Sequence, residues 1–455
     1  MPGFALLDLR SEILNGIFFA IVLIAFVVAG YRQIAEPVVG PDQIEPMQVL
    51  ATAVVDSAAS SVTLAIGLIG VMTLFLGLMK VAEAGGLLVI IARLVRPLMQ
   101  RLFPEVPADH PAMGAMILNM SANVLGLGNA ATPFGIRAMQ ELDKLNPVKG
   151  TATNAMALFL AINTSSVTLL PTGVIALRAA AGSADPAGIM PTTLFATICS
   201  TTVAIVMAKL CQRFWTTTPT APVDTTAPPT APNESGASEP PATEIDDNAV
   251  VETAQGYPVW VSVMALAGIA ALVPLTLAYG KTIAPWIIPG LIVGLLGFGV
   301  ARRVAVYEVF VDGARDGFQV AIRIIPYLVA ILVAVGMFRA SGALALLITP
   351  IGSVTELFGL PPEALPMALL RPLSGSGAYG ILASIINDPT IGPDSYTGYL
   401  VSTFQGSTET TFYVLAVYFG AVGIRRIRHA LVAALTADVA GIAAAVFICS
   451  MLFGD

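Results

Sequence analysis

Two clusters of polar side chains interrupt otherwise apolar sequence, and their types suit hydrogen bonding to a polar solute. The first begins in NMSANVLGLGNAATP with Asn119, Ser121, Asn123 and Asn129, and continues in AINTSSVTLLP with Asn163, Thr164, Ser165 and Ser166. The second begins in LLRPLSGSGAYG (Leu369–Gly380) with Arg371, Ser374, Ser376 and Tyr379, and continues in TFQGSTETTFY with Gln405, Ser407, Thr408 and Glu409. Most are neutral donors and acceptors, with one base and one acid, a lining better matched to a polar organic molecule than to a bare metal ion. Asn119 and Asn123 stand one helical turn apart and so share a face. Arg371 reads as the receiver of an anionic or carbonyl group, with Glu409 as its counter-charge or as a proton carrier.

A plainer reading stands beside this one. Ser and Thr in membranes often only join helices, through bonds averaging about 0.6 kcal/mol. Arg371 and Glu409 equally read as a structural ion pair, although each intramembrane charge costs roughly 2.5–3.5 kcal/mol on insertion scales.

The elements that must hold these clusters follow from composition. Of 455 residues 56% are hydrophobic and 11% charged, too little charge for the surface of a soluble chain of this size. Several apolar runs are long enough to cross a hydrocarbon core of about 30 Å. The pattern predicts an all-α polytopic membrane protein with spans near 14–31, 62–82, 152–180, 190–212, 258–280, 283–301, 319–340, 397–420 and 430–452. The run Ile13–Ala29 reads as a retained span rather than a cleaved signal. Glycine clusters at 126–128 and 375–380 read as tips of re-entrant hairpins over 112–138 and 363–388, because unpaired backbone is tolerated at membrane depth only under protein or in a wet cavity.

The net charge of −7 has one origin: residues 216–256 hold seven acids and no Lys or Arg. This Pro-, Thr- and Ala-rich stretch cannot build a core and reads as a disordered linker over 214–256, between membrane halves 1–213 and 257–455. The halves match in order. VVDSAASSVTLAIGLIGVMTLFLGLMKVAEAGGL pairs with FVDGARDGFQVAIRIIPYLVAILVAVGMFRASGAL, followed in each half by a proline-containing amphipathic stretch, a hairpin and a polar-centred span. With both hairpins re-entrant, most Lys and Arg fall on the side of the N-terminus and linker, as the positive-inside rule requires of the cytoplasm. The second half is then inverted relative to the first, the architecture of many secondary transporters. Asp388 and Asp394 read as turn residues at the outer edge, Asp56 and Asp312 as helix caps, Arg323 as a snorkelling cation, and Trp215, Trp260 and Trp286 as interfacial anchors.

Cys199, Cys211 and Cys449 form no CxxC, and His110 and His429 sit in no metal motif, so neither disulfide nor metal nor other cofactor is expected. There is no P-loop, Ser-His-Asp set or metalloprotease motif, and GSGAYG lacks the strand–helix setting of a phosphate loop. The expectation is not an enzyme.

NMSANVLGLGNAATPFGIRAMQELDKLN (Asn119–Asn146) resembles the spore maturation protein A family, and the stretch from Arg371 to Leu431 resembles the spore maturation protein B family. The chain looks like a fusion of the two. Both families belong to the nucleoside-recognition or "Gate" group, which implies a membrane transporter or gating module. The expectation is a permease of a bacterial inner membrane for a small polar organic solute such as a nucleoside or dipeptide. Its partners would be the lipid bilayer, that solute and further copies of the chain, with no nucleic acid. The alternative is a non-transporting scaffold acting through partner proteins.

Overall fold

Backbone in hydrocarbon must satisfy its own hydrogen bonds, and this chain does so with helices. A computed structural model describes residues 3–35, 44–126, 128–215, 256–344, 346, 352 and 355–454, and among them there is no β-strand beyond one isolated bridge, Thr151 to Arg426. The linker reading lies outside the described residues over 216–255, as do the side chains of Asn129, Arg323 and Ser376. Phe18–Ala35, Met190–Cys211 and Ala430–Phe453 are long and apolar enough to cross a membrane, and a fourth candidate is bent by 68° at residues 85–86. The protein is a polytopic, all-helical membrane protein.

The first half runs α1 (Gly3–Ala35), α2 (Pro46–Ala84), α3 (Leu87–Leu102), α4 (Pro111–Val124), α5 (Gly128–Lys144), α6 (Asn154–Thr164), α7 (Thr172–Ala180) and α8 (Met190–Cys211). The second runs α9 (Val259–Ala301), α10 (Val306–Ala340), α11 (Leu365–Leu370), α12 (Gly375–Ile386), α13 (Tyr396–Ser407), α14 (Thr411–Gly420) and α15 (Ala430–Phe453). Asp56 and Asp312 therefore lie inside α2 and α10, not at caps, because both helices begin well before the apolar runs that betray them.

Spans 258–280 and 283–301 are corrected to one unbroken helical run, α9. Straight, its 43 residues would measure about 65 Å, twice a bilayer core. Yet the Tyr257 N–H donates to Arg93 O at 3.1 Å, and a Cβ on Gly85, eight residues from Arg93, would meet the Phe298 ring at 2.7 Å. Both ends of α9 thus lie at the α2–α3 corner, so the helix doubles back on itself. Two crossings survive without a loop between them, and Trp286 sits within the run instead of at its end.

Inversion of the halves is visible in three antiparallel pairings. Along α2 and α10, Gly77 meets Phe310, Thr73 meets Gly317 and Ser57 meets Gly336. A Cβ at Gly317 would reach Met72 O at 2.7 Å, so glycine is what lets these backbones approach. Along α8 and α15, Phe195 packs on Phe447 and the Ser200 hydroxyl donates to Ala437 O at 2.8 Å. The third pair is α6–α7 against α13–α14. Ala152 N–H donates to Arg426 O at 2.9 Å at one end, Glu409 N–H to Thr164 O at 2.8 Å in the middle, and Arg178 to Pro393 O at 2.6 Å at the other end. α2 and α10 also end alike, on Gly86 (φ 81°) and Gly342 (φ 82°).

Two apolar cores follow this plan. One packs α4 and α5 against α6 and α14; the other packs α11 and α12 against α7 and α13. Each hairpin is thus clasped by half-helices from both repeats.

Candidate functional site at the crossing of two broken helices

The half-helices α6, α7, α13 and α14 hold 11, 9, 12 and 10 residues, each about half the length needed to span. Their breaks, at 165–171 and 408–410, fall where the two broken helices cross. The Thr164 carbonyl, orphaned at the end of α6, takes the Glu409 N–H of the other break. Each hairpin tip then docks on the break of its own half. Leu169 N–H donates to Val124 O at 2.9 Å, and Gly126 (φ 76°) lies so close to Leu170 O that no side chain fits. At the second tip Phe412 N–H donates to Pro372 O at 3.2 Å, and the Arg371 guanidinium donates to Thr408 O and, at 3.1 Å, to Thr410 Oγ1.

Most residues singled out in the sequence converge on this crossing. Asn123 Nδ2 donates to Asn163 Oδ1 at 3.0 Å, and Tyr418 O–H approaches the same oxygen at 3.4 Å. Asn119 Nδ2 donates to Ala131 O at 2.7 Å and to Tyr418 Oη at 3.1 Å, while its Oδ1 is buried without a partner. Tyr379 lies beside Gln405 and would be struck by a Cβ on Gly173, at the start of α7. Ser165, Ser407 and Thr164 turn back to carbonyls of their own helices, and Ser121 does the same to Ile117 O at 2.7 Å, so these four behave as helix-internal donors. Ser374 caps α12 by accepting the Gly377 N–H at 3.1 Å. Asn119, Asn163, Arg371, Gln405, Ser407 and Thr408 are all buried, and no side chain caps the N-terminus of α7 or α14.

Arg371 is partly engaged by the protein itself, with its buried Nε left without a hydrogen-bond partner. Its guanidinium is engaged with the backbone and hydroxyl of the break, and Glu409, half exposed, lies at 3.8 Å, the outer limit of an ion pair. Arg371 fastens hairpin to break.

Three features escaped the sequence reading. Tyr418 bridges the two halves through Asn119 and Asn163 and stacks on Phe159 at 6.1 Å; nothing in FYVLAVYFG marks it. Asp438, in α15, is buried and accepts from Thr411 Oγ1 at 2.7 Å. Arg178, fully buried, joins the halves at one face. It donates to Pro393 O and to Ser402 Oγ (3.3 Å), pairs with Asp394 at 3.0 Å and lies 4.1 Å over the Tyr399 ring. Asp394 is therefore a lock partner as well as a turn residue.

The two faces are closed by different means. At the Asp388 face, Arg178 is joined by Arg339, which pairs with Asp388. Burial raises the Asp388 carboxyl, but the Thr390 N–H and hydroxyl and Arg339 outweigh it and hold it below its ordinary value. Asp185 there is pushed up, chiefly by burial, with Arg178 opposing. At the opposite, Gly150 face, backbone does the work: Arg425 and Arg426 N–H groups donate to Gly150 O, and Arg428 donates to Ala152 O. Beside this clamp a recess of about 180 Å³ opens over the N-terminus of α6, edged by Glu105, Asn146, Asn154 and Arg428. Both ends of hairpin α4–α5 lie at the Gly150 face, through Arg96 to Ala108 O and Asn146 to Thr151 O. Both ends of hairpin α11–α12 lie at the Asp388 face, through Tyr396 to Gly359 O and Arg339 to Asp388. The hairpins are re-entrant from opposite faces.

Inverted repeats with re-entrant hairpins and crossing broken helices define a membrane protein of the transporter-like class. The chain belongs to the Gate family, described as nucleoside recognition, whose model matches residues 65–181 and again 321–425. The two matched stretches cover the same series of elements, from the later part of the long helix through the hairpin to the end of the broken helix. It is similar to spore maturation protein B of Bacillus subtilis (strain 168), 46% identical over 168 residues, which are 37% of this chain and 93% of that relative. It is equally similar to spore maturation protein A of the same organism, 47% identical over 157 residues, 34% of this chain and 80% of that relative. One chain thus joins what are two proteins there. No solved structure matches.

Proposed function

We propose that the protein is a secondary transporter for a small, polar, uncharged organic solute of the nucleoside kind, held where the two helix breaks cross. The observation that carries this is the Thr164–Glu409 backbone bond, which brings two half-helix junctions and two hairpin tips to one buried point. The buried amide oxygens Asn119 Oδ1 and Gln405 Oε1 have no hydrogen-bond partner and supply acceptors, Asn163 holds the Asn123 and Tyr418 side chains beside them, and the Tyr418–Phe159 stack suits a planar base. Two Arg371 nitrogens are taken by the Thr408 carbonyl and the Thr410 hydroxyl, and Glu409 lies at 3.8 Å as counter-charge, which favours a neutral solute over an anion. The description of the family as nucleoside recognition supports the same reading. Asn129 and Ser376 belong to the proposed lining by their place at the two hairpin tips.

In this reading the Gly150 face is cytoplasmic, since Arg93, Arg96, Lys149, Lys209, Arg425, Arg426 and Arg428 gather there, in the inner membrane of a bacterium. The buried centre corresponds to a state closed at both faces, and opening either face while the hairpins hold their breaks gives alternating access. The test is uptake of labelled uridine and adenosine into liposomes containing the full chain. Asn163→Ala should lower uptake about tenfold, the worth of one buried hydrogen bond. Uptake equal to that of empty liposomes, with no nucleoside-dependent rise in melting temperature, overturns the proposal.

A further inference from the structure

Asp438 is the one acid in α15, a helix otherwise apolar enough to span. It lies about 12 Å along the helix from its start, deep in the hydrocarbon zone. The side chain is 3% exposed; Oδ2 accepts from Thr411 Oγ1 at 2.7 Å, and Oδ1 has no hydrogen-bond partner. Thr411 is the first residue of α14, directly after the break at 408–410 that receives the Arg371 guanidinium. Asp438, Thr411, the break, Arg371 and the tip of hairpin α11–α12 thus form one continuous series.

An ionised carboxylate with an unpaired oxygen is costly in such a place, and a single proton removes the cost. A metal ion would need several further oxygens around Oδ1. Among the described residues no group of three or more His, Cys, Asp or Glu gathers there to hold one. The helices packed on α15 bring few titratable groups: Cys199, Lys209 and Cys211 on α8, Tyr396 and Tyr399 on α13, and Tyr413 and Tyr418 on α14, with none on α6. The charge that acts on Asp438 is that of Arg371.

We propose that Asp438 is the proton-carrying carboxyl of this protein, and that its protonation loosens the hairpin tip from the helix break. A proton arriving from water forms an O–H bond at Oδ1 and takes the side chain from −1 to neutral. Arg371 loses the attraction of this carboxylate and keeps only Glu409, at 3.8 Å, and the Thr411 bond loses its charge assistance. Loss of the proton to water at the other face restores both. The coupling role rests on the transporter reading; the titration does not.

The test uses the full chain in phosphatidylethanolamine–phosphatidylglycerol vesicles. Infrared difference spectra between acidic and alkaline pH should show a carboxylic-acid C=O band that Asp438→Asn removes and Asp438→Glu keeps at a shifted position. Maleimide labelling of Leu373→Cys, in a background lacking the three native cysteines, reports the hairpin tip. The ratio of its rate to that in the Asp438→Asn background should change at least about fivefold over the same pH range, a comparison in which the thiol's own titration cancels. Absence of the band, or an unchanging ratio, overturns the inference. So does a sodium-dependent rise in melting temperature that Asp438→Asn abolishes, which would assign the site to a cation. Uridine uptake without the band leaves transport standing and sinks Asp438; the band without uptake supports Asp438 and sinks the transport reading.

Discussion

Arg178 offers the sharpest perturbation, because one buried side chain holds the Asp388 face shut. It gives two bonds to the loop and helix of the second half, one to Ser183, and an ion pair to Asp394, all from a fully buried position. Arg178→Met keeps the stem and removes the charge. Asp394 is about a third exposed and can rehydrate, which limits the loss, while the Pro393 and Asp185 carbonyls lose a charged donor. Losing one partner of a buried pair costs about 3–5 kcal/mol, and the exposure of Asp394 places this case at the lower end. About 3 kcal/mol moves a closed-to-open ratio by roughly two orders of magnitude. In a cysteine-free background, Ser402→Cys should be nearly unreactive to an impermeant maleimide applied from the Asp388 side. Adding Arg178→Met should accelerate labelling at least about thirtyfold, while a cysteine at Ala152 on the Gly150 face is unaffected. Equal rates with and without Arg178, in protein of unchanged melting temperature, would refute the lock.

Two further outcomes follow from the geometry. Gly126→Ala should cost at least about 2 kcal/mol more in unfolding than Gly150→Ala, since a left-handed backbone strains both by 1–2 kcal/mol but only Gly126 has Leu170 O in the way; equal losses in a thermal melt would contradict the docking of that tip. His429 is fully buried at the Gly150 face, and burial, then Arg428, lower its pKa from 6.5 to about 4. Below the unfolded value the unfolded chain takes up a proton that the folded chain refuses until near the folded value, so stability falls as pH drops through that window, by about 2 kcal/mol at roughly pH 5. His429→Phe should flatten that part of a stability–pH curve, and an unchanged slope would exclude His429 as its cause.

The sequence made the repeat and both hairpins legible because each depends on local chemistry, but 152–180 and 397–420 read as unbroken spans, and the structure breaks them at 165–171 and 408–410. Glycine, serine and asparagine clusters mark where a helix must stop, and an apolar run marks where it must cross. Helix lengths were less legible: α2 and α10 extend into polar sequence, VVDSAAS and FVDGARD, where helix propensity persists after hydrophobicity ends. Spans 258–280 and 283–301 read as two helices where the structure has one continuous helical run, α9. Side-chain partners were least legible. The pairing of Arg371 with its own break, and of Arg178 with Pro393 and Asp394, depends on which residues 37 and some 215 positions apart come together, and only the inverted packing decides that.

The central claim is that the two helix breaks meet, and a disulfide tests it directly. With Glu409 N–H bonded to Thr164 O at 2.8 Å, cysteines at these two positions lie within the roughly 7 Å Cα separation that a disulfide tolerates. In a background without Cys199, Cys211 and Cys449, and with the chain cut by protease in the linker, Thr164→Cys with Glu409→Cys should join the two fragments in membranes on mild oxidation. Thr164→Cys with a cysteine at Asp388 should leave them separate. Fragments that stay apart in the first pair while joining in the second would contradict the crossing, and the solute site built on it with it.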